Sequence, residues 1–448
     1  MTSLSPIPSF DDLKITFQEY SLVSPSHEKT QPKSIFLSNI DQILDYNIPT
    51  AHFFKRNPDF PPQIVAEKLK IALRRVLVPY DFMAGMLELN PQTGRLEIDC
   101  NGAGAGFVVA SSEISLDEMG DCLIHPNLGY RQLAVEKLEN LAHDDKPLCV
   151  FQITSFKCGG FAIGMSTNHI ILDGMGAKAF MENLASQAFD DEPLAVVPCN
   201  NRRLLSARSP PQVAFPHHEY LDLNLPTGEG SRPPVYDCNR EELNFRIFKL
   251  NPTDITNLKV KAKSATNENT KISTFKVAAA LMWRCHAFSG DLGHKKDEYS
   301  TILTSINLRS RVNPQLPLSY SGNGVLPIGI SATFDDLEKG PFSRLVELIS
   351  NRINDMTYEY AKSAFDWLEV HRGVPHGDYL IASWLGLGFD QVEYPWGKPI
   401  YSCPIVNHRK DICWIFRDAV DDGVAAMVAL PAEEMVRFEA LFYEFLGC

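Results

Sequence analysis

Residues Cys149–Asp190 read CVFQITSFKCGGFAIGMSTNHIILDGMGAKAFMENLASQAFD, and the fold class follows from how this stretch divides. Two apolar-rich runs, Cys149–Phe156 and Phe161–Ser166, flank Lys157-Cys158-Gly159-Gly160. A short glycine-containing link between such runs predicts a β-hairpin. The second strand is expected to end near Asn168. Between Gly176 and Phe189, the apolar residues Ala179, Phe180, Leu184 and Ala188 recur at helical spacing. His169 and Asp173 therefore fall in a turn between strand and helix. In such a turn the strand fixes a side chain and the loop leaves it reachable.

The pattern His-x-x-x-Asp-Gly carries little weight alone. The chain has 12 histidines, and His218 and Asp222 repeat the spacing. That second pair sits among Pro210, Pro211, Pro216 and Pro226, with no strand before it and no helix after it. Context separates the two.

The same alternation of element types extends in both directions. Residues 35–55 predict strand, loop, strand. Gln63–Leu77 is an amphipathic helix with Ile64, Leu69, Leu73 and Val76 near one face. Gly94–Cys100 alternates as a strand. Gly102–Gly106 is glycine-rich, yet the strand-like Phe107–Ala110 follows where a dinucleotide loop would need a helix. A bend between strands is the better account. Eight prolines lie between Pro193 and Pro234, and this aperiodic link suggests a domain junction. Beyond it come strands at Leu243–Phe248, Ser300–Asn307 and Ala425–Leu430. Helices are expected at Pro252–Lys263, Ile272–Arg284, Phe342–Met356 and Glu433–Phe445. Strands and helices alternate without a short repeat, which predicts an α/β protein of two domains. The expected division is 1–192, a crossover at 193–240, and 241–448.

Composition excludes several functions. At 448 residues the chain can bury a large core, and 44% hydrophobic with 22% charged residues is ordinary for a globular protein. No apolar run is long enough for a membrane-spanning helix, and the first residues lack the marks of a secretory signal. Ten cysteines are scattered without Cys-x-x-Cys pairs, which predicts reduced thiols in the cytoplasm and no zinc site. A net charge of −13 argues against a nucleic-acid partner.

His169-Ile170-Ile171-Leu172-Asp173-Gly174 resembles the signature of the BAHD acyltransferases, the plant acyl-CoA-dependent family. The resemblance spans nearly the whole chain. Leu37-Ser38-x-x-Asp41-Gln42 is similar to the family's first strand entry, and Arg95–Asn101 to its R-L-E-I-D-C-N strand. Ser273–Trp283 resembles a family helix. Asn307-Leu308-Arg309-Ser310-Arg311, with Pro314, Tyr320, Gly322 and Asn323, resembles N-x-R-x-R…P…Y-x-G-N. Gly423-Val424 and Leu430-Pro431 through Phe438 match the closing strand and helix. One segment departs. The family's D-F-G-W-G-K-P reads Glu393-Tyr394-Pro395-Trp396-Gly397-Lys398-Pro399 here, and Ala382 replaces the Thr of T-S-W.

The resemblance implies a two-domain fold related to chloramphenicol acetyltransferase, with a channel between the domains. It implies an acyl-CoA co-substrate, no tightly bound cofactor, no metal, and a hydroxyl or amine acceptor, in a monomer. An alcohol needs a base near neutral pH, and histidine is the side chain with that pKa. His169 is the expected base, removing the acceptor proton and later protonating the CoA thiolate. Asp173 is assigned to the catalytic motif, holding the turn by pairing with an arginine. Gly174, on the cofactor side, permits close approach of the helix. Trp396 and Asn323 are candidate oxyanion donors, Asn323 also being placed among the cofactor-binding residues. Lys259, Lys261, Lys263 and Lys271 crowd one stretch before a helix start at Ser273-Thr274, which suits a phosphate of CoA. Glu393 is expected to pair with Arg309 or Arg311, and Gly397 to shape the channel. Cys158 offers a thiol near His169 in sequence, but its Gly-Gly turn argues against a Cys–His nucleophile. Two other readings share the fold: intramolecular acyl transfer giving a lactone, and a non-catalytic accessory protein, for which the altered Glu393–Gly397 stretch is the motive.

Overall fold

The computed structural model describes residues 12–27, 33–120, 123, 127–138, 146–190, 192–222, 242–263, 272–290, 293–405 and 409–447. In chain order these begin with strands β1 (Ile15–Val23) and β2 (Ser34–Phe36), helix α1 (Asn39–Gln42), β3 (Asn47–Phe54) and α2 (Pro62–Val76). Next come β4 (Met86–Asn90), β5 (Arg95–Asp99), β6 (Ala105–Ser112), α3 (Leu116–Met119), β7 (Cys149–Phe156), β8 (Phe161–Asn168) and α4 (Gly174–Ala188). The chain continues through β9 (Tyr220–Leu221), β10 (Asn244–Leu250), α5 (Pro252–Lys261), α6 (Thr274–Ala287), β11 (Tyr299–Asn307) and β12 (Val325–Thr333). It closes with α7 (Phe334–Lys339), α8 (Phe342–Asn354), α9 (Tyr358–His371), β13 (Val374–Pro375), β14 (Tyr379–Ser383), β15 (Tyr401–Pro404), β16 (Ile412–Arg417), β17 (Val424–Leu430) and α10 (Ala432–Leu446).

These elements fall into two compact units, neither continuous in sequence. The first comprises residues 1–206, 316–324 and 387–406; the second comprises 207–315, 325–386 and 407–448. The step from Ser206 to Ala207 lies inside the stretch read as a crossover. The Glu393–Pro399 segment, expected in a domain spanning 241–448, belongs instead to the first unit. It is drawn there because β15 pairs antiparallel with β3, from Tyr401 opposite Phe53 to Pro404 opposite Thr50.

The first unit is built on a six-stranded mixed sheet in the order β1-β6-β7-β8-β3-β15, with β2, β5 and β4 in a separate three-stranded sheet. β7 and β8 are central and buried along almost their whole length. That is why their sequences are near-continuous apolar runs: both faces of the sheet are covered. The link between them is the expected hairpin turn, with Gly159 at φ +84°. On α2 the residues Leu69, Leu73 and Val76 are buried as expected, but Val65 completes the stripe while Ile64, expected on that face, is exposed; α2 packs against α4. The turn Leu128–Leu133 packs against β3, β7 and β8. Phe53, Tyr130, Leu133, Phe156, Tyr401 and Cys403 form part of one buried cluster there.

The second unit has its own six-stranded mixed sheet, in the order β10-β17-β16-β14-β11-β12. Helix α6 starts at its Ser273 N-cap and is buried from Val277 to Cys285. It packs against α5, α8 and α10, and also touches β14 and β16. The ends of α5, α6, α8 and α10 lie within a few residues of those expected from sequence, whereas β12, α9, β14 and β16 are elements beyond those expected.

The covering turn approaches β8 very closely. A Cβ on Gly164 would stand 1.7 Å from the Leu133 carbonyl oxygen. Gly164→Ala forces backbone apart in a packed interior, and we expect a loss of about 3 kcal/mol or more in urea unfolding. Wild-type stability in that variant would contradict the packing described here.

Candidate functional site

The site is assembled wholly within the first unit. β8 ends at Asn168, and His169 follows with its N–H donating to the Tyr46 carbonyl at 2.8 Å. The ring is half-buried, 5.4 Å from the Tyr46 ring. Its Nδ1 lies 2.9 Å from Oδ1 of Asn323. The Asn323 Nδ2 in turn donates to Asp41 Oδ1 at 2.8 Å, to the His169 carbonyl at 2.8 Å and to the Ile170 carbonyl at 3.3 Å. An amide oxygen can only accept, so Nδ1 carries the hydrogen. Among the described residues Nε2 has no partner, and in the neutral ring it holds the free lone pair. Burial lowers the pKa of His169; its own backbone, Asp173, Asn323 and Asp41 oppose that shift in decreasing order without cancelling it.

Asp41 and Arg202 complete the cluster, and both side chains have 0% exposure. Arg202 Nη1 donates to Asp41 Oδ1 at 2.8 Å and to the Ile170 carbonyl at 3.2 Å, while Nη2 donates to the Ile171 carbonyl at 2.6 Å. Asp41 Oδ2 accepts from the Ser38 N–H at 2.8 Å and hydroxyl at 2.7 Å, closing a capping box on α1. Ser38-x-x-Asp41 is a family landmark in the sequence, yet nothing in the linear pattern brings Asp41 or Arg202 to His169. The Ser-x-x-Asp spacing was the available signal for a capped helical turn.

Asp173 does different work from a triad carboxylate. Its Oδ1 accepts from the Gly176 N–H at 2.8 Å as the N-cap of α4, and its Oδ2 accepts from the Gly324 N–H at 2.9 Å. It therefore ties the helix start to the residue after Asn323. Helix α4 begins two residues before the expected Gly176 because of this cap. Gly174 faces the Leu387 side chain, where a Cβ would come within 2.9 Å.

Two expected donors are corrected. Asn323 is fully buried and its amide is committed on both sides, so it positions His169 rather than meeting a cofactor or an oxyanion. Trp396 is 4% exposed, stacked on Tyr394 at 5.1 Å and edge-on to Phe54 and Phe161 at 6.4 and 6.2 Å. Phe161 opens β8 and His169 follows its far end, so at about 3.3 Å per residue the two sites are roughly 25 Å apart. Trp396 is a packing residue of that far end. Cys158, in the turn before Phe161, is remote from His169 for the same reason.

The departing segment is a tight turn. Gly397 N–H donates to the Tyr394 carbonyl at 2.9 Å, and the Tyr394 N–H to the Gly397 carbonyl at 3.2 Å. Pro395 occupies the second turn position, which its fixed φ suits. Gly397 has φ +108°, a conformation that L side chains rarely adopt. Its role is thus to close this turn. Glu393 pairs with Lys398 at 3.8 Å and is largely exposed. In the second unit, Arg311 donates to the Ile353 and Met356 carbonyls at 2.9 and 3.0 Å, and Arg309 is buried beside Asn307.

Ser273 caps α6 by accepting from the Lys276 N–H at 3.4 Å, and Thr274 is the first helical residue. Lys261 donates to the Phe445 and Leu446 carbonyls at the end of α10. Lys271 lies outside the described residues.

Other histidine clusters are structural. His52 bonds Thr50 and Ser402, and burial drops its pKa to about 3. In the second unit Ser363, His217 and Glu219 mimic a triad, at 2.9 Å and 3.1 Å. All three are buried, and the Ser363 hydroxyl already accepts from the Ala214 and Phe215 N–H groups. Asp222 of the chance His218 pattern pairs with His371 at 2.6 Å.

A model described as the Transferase family matches residues 13–445. The chain is 48% identical over 448 residues to Acyltransferase GLAUCE of Arabidopsis thaliana, covering 99% of this chain and 98% of that protein. It is 31% identical to the Fatty alcohol:caffeoyl-CoA acyltransferase of the same plant, covering 96% and 98%. Among solved structures, TRI101 of F. sporotrichioides complexed with coenzyme A and T-2 superposes with a TM-score of 0.76 at 16% identity, covering 91% of this chain and 97% of that one. At that identity the likeness shows the fold.

Removing the arginine strands a buried carboxylate. Arg202→Met should destabilise the protein by about 3–5 kcal/mol in urea unfolding, the range for breaking one side of a buried ion pair. An unchanged midpoint would show that Asp41 does not depend on it.

Proposed function

The chain belongs to the BAHD acyltransferases of the Transferase family, and on that premise we propose that it transfers a hydroxycinnamoyl or other aromatic acyl group from coenzyme A to a hydroxyl or amine acceptor, with His169 as general base. The observation that carries the reading is the imidazole itself. Nδ1 is held by Asn323 and Nε2 is left with its lone pair.

In this mechanism Nε2 of His169 takes the acceptor proton as the acceptor oxygen or nitrogen attacks the thioester carbonyl. The tetrahedral intermediate collapses, the carbon–sulfur bond breaks, and the leaving thiolate takes the proton back from the imidazolium. Acyl group and proton both balance, and no enzyme nucleophile is needed. The lowered pKa keeps the ring neutral, and therefore basic, at physiological pH. The names of the relatives that act with caffeoyl-CoA and hydroxycinnamoyl groups support an aromatic donor, and a fatty alcohol in one name supports a hydroxyl acceptor.

For the phosphates of CoA the reading uses the start of α6, where Ser273, Thr274 and the half-buried Lys276 cluster. The enzyme is taken as a cytoplasmic monomer. Its described cysteines are free thiols, which suits a reducing compartment. Among the described residues no helix is long and apolar enough to cross a membrane.

Thiol release from hydroxycinnamoyl-CoA, measured over a panel of alcohols and amines with mass detection of products, tests the proposal. His169→Ala should lower kcat by about 10²–10⁴-fold; full retained activity would reject the base. Product formed with no added acceptor would favour the lactone instead. The pH profile is a second check. The base must be neutral, and burial lowers its pKa, so the acid limb of kcat/KM should lie below 6.5, with activity lost as pH falls through it. A limb above that value would contradict the assignment.

A further inference from the structure

We propose that Asp41 is a positioning residue that decides which nitrogen of His169 acts as the base. The inference rests on His169 being the base and concerns how its tautomer is chosen. A free imidazole in water populates both neutral tautomers, so a general base on a flexible partner would be in the wrong form part of the time. Here the choice passes through Asn323. An asparagine amide can present either its oxygen or its NH₂ to a neighbour. All three groups facing Nδ2 are acceptors: Asp41 Oδ1 at 2.8 Å and the carbonyls of His169 and Ile170 at 2.8 and 3.3 Å. Turning the amide over would set oxygen against oxygen, with a carboxylate among the opponents. The oxygen of Asn323 is therefore aimed at Nδ1, at 2.9 Å.

Asp41 is itself immobilised. Its Oδ1 also accepts from Arg202 at 2.8 Å and from the Asn323 N–H at 3.3 Å, and its Oδ2 is taken by Ser38. Arg202 grips the carbonyls of Ile170 and Ile171 as well, the two residues after the histidine. The carboxylate, the amide and the loop carrying the imidazole are one rigid unit. Asp173 accepts from the N–H groups of Gly176 and Gly324, and these two bonds organise backbone rather than the ring.

The test reads the tautomer directly, by long-range ¹H–¹⁵N correlation of His169 in the full chain. Wild type should show the hydrogen on Nδ1 in the neutral state; a hydrogen on Nε2 overturns the proposal. Asp41→Asn is nearly isosteric, removes the negative charge and turns one of the two acceptor oxygens into a donor. It should move the hydrogen toward Nε2 and lower kcat by about 10²-fold or more, as wrong-tautomer variants of other histidine bases do, with the KM for acyl-CoA little changed. A folded variant with wild-type tautomer or wild-type kcat overturns the role of Asp41. Should that variant fail to fold, Asn323→Ala carries the same measurement, and an unchanged tautomer there overturns the relay. Failure of the general-base reading is separate: it would appear as turnover surviving in His169→Ala, whatever the tautomer.

Discussion

A guanidinium and a carboxylate, Arg202 and Asp41, meet at 2.8 Å with no exposed surface on either side chain. Taking two charges out of water costs several kcal/mol per ion, and attraction alone rarely repays it. The neighbours make up the difference. Ser38 and Asn323 supply further donors to the carboxylate, and the Ile170 and Ile171 carbonyls accept from the guanidinium. The consequence is geometric. Segments around residues 38–41, 169–171, 202 and 323 are held to one another by directional bonds that tolerate little displacement. An imidazole held that way keeps one placement, which is what the proposed base requires.

The two acidic residues near the imidazole divide the labour. Asp173 binds backbone N–H groups on α4 and on Gly324, fixing where the elements lie. Asp41 binds a side-chain amide, fixing which way it points. An aspartate four residues from a histidine invites a triad interpretation, yet the strand-to-helix turn leaves it better placed to cap the helix. The side chain beside Nδ1 comes from residue 323, more than 150 positions later.

What could be read from the linear chain follows from range. β7, the hairpin, β8 and α4 are local features, and period, glycine and cap residues announced them. His169 was legible because that context is local too. Asn323 was visible within a motif, but its role was not, since an amide's meaning depends on what surrounds it. Asp41 and Arg202 came together only through folding. Trp396 misled because a tryptophan in a motif suggests chemistry, whereas its position at the start of β8 is set by the pairing of β15 with β3. The return of residues 316–324 and 387–406 to the first unit had no periodic signal at all.

That return bears on how the protein is made. A ribosome emits the chain from the amino terminus, and a nascent polypeptide of 206 residues has the sheet and the imidazole but lacks the two later segments. Until they emerge, β3 presents an unpaired edge, and the Asp41 carboxylate has no amide to orient. Exposed strand edges invite association between unfinished chains. The amide that faces the imidazole is thus absent until residue 323 of the 448 has been added, and a product terminated earlier lacks it altogether.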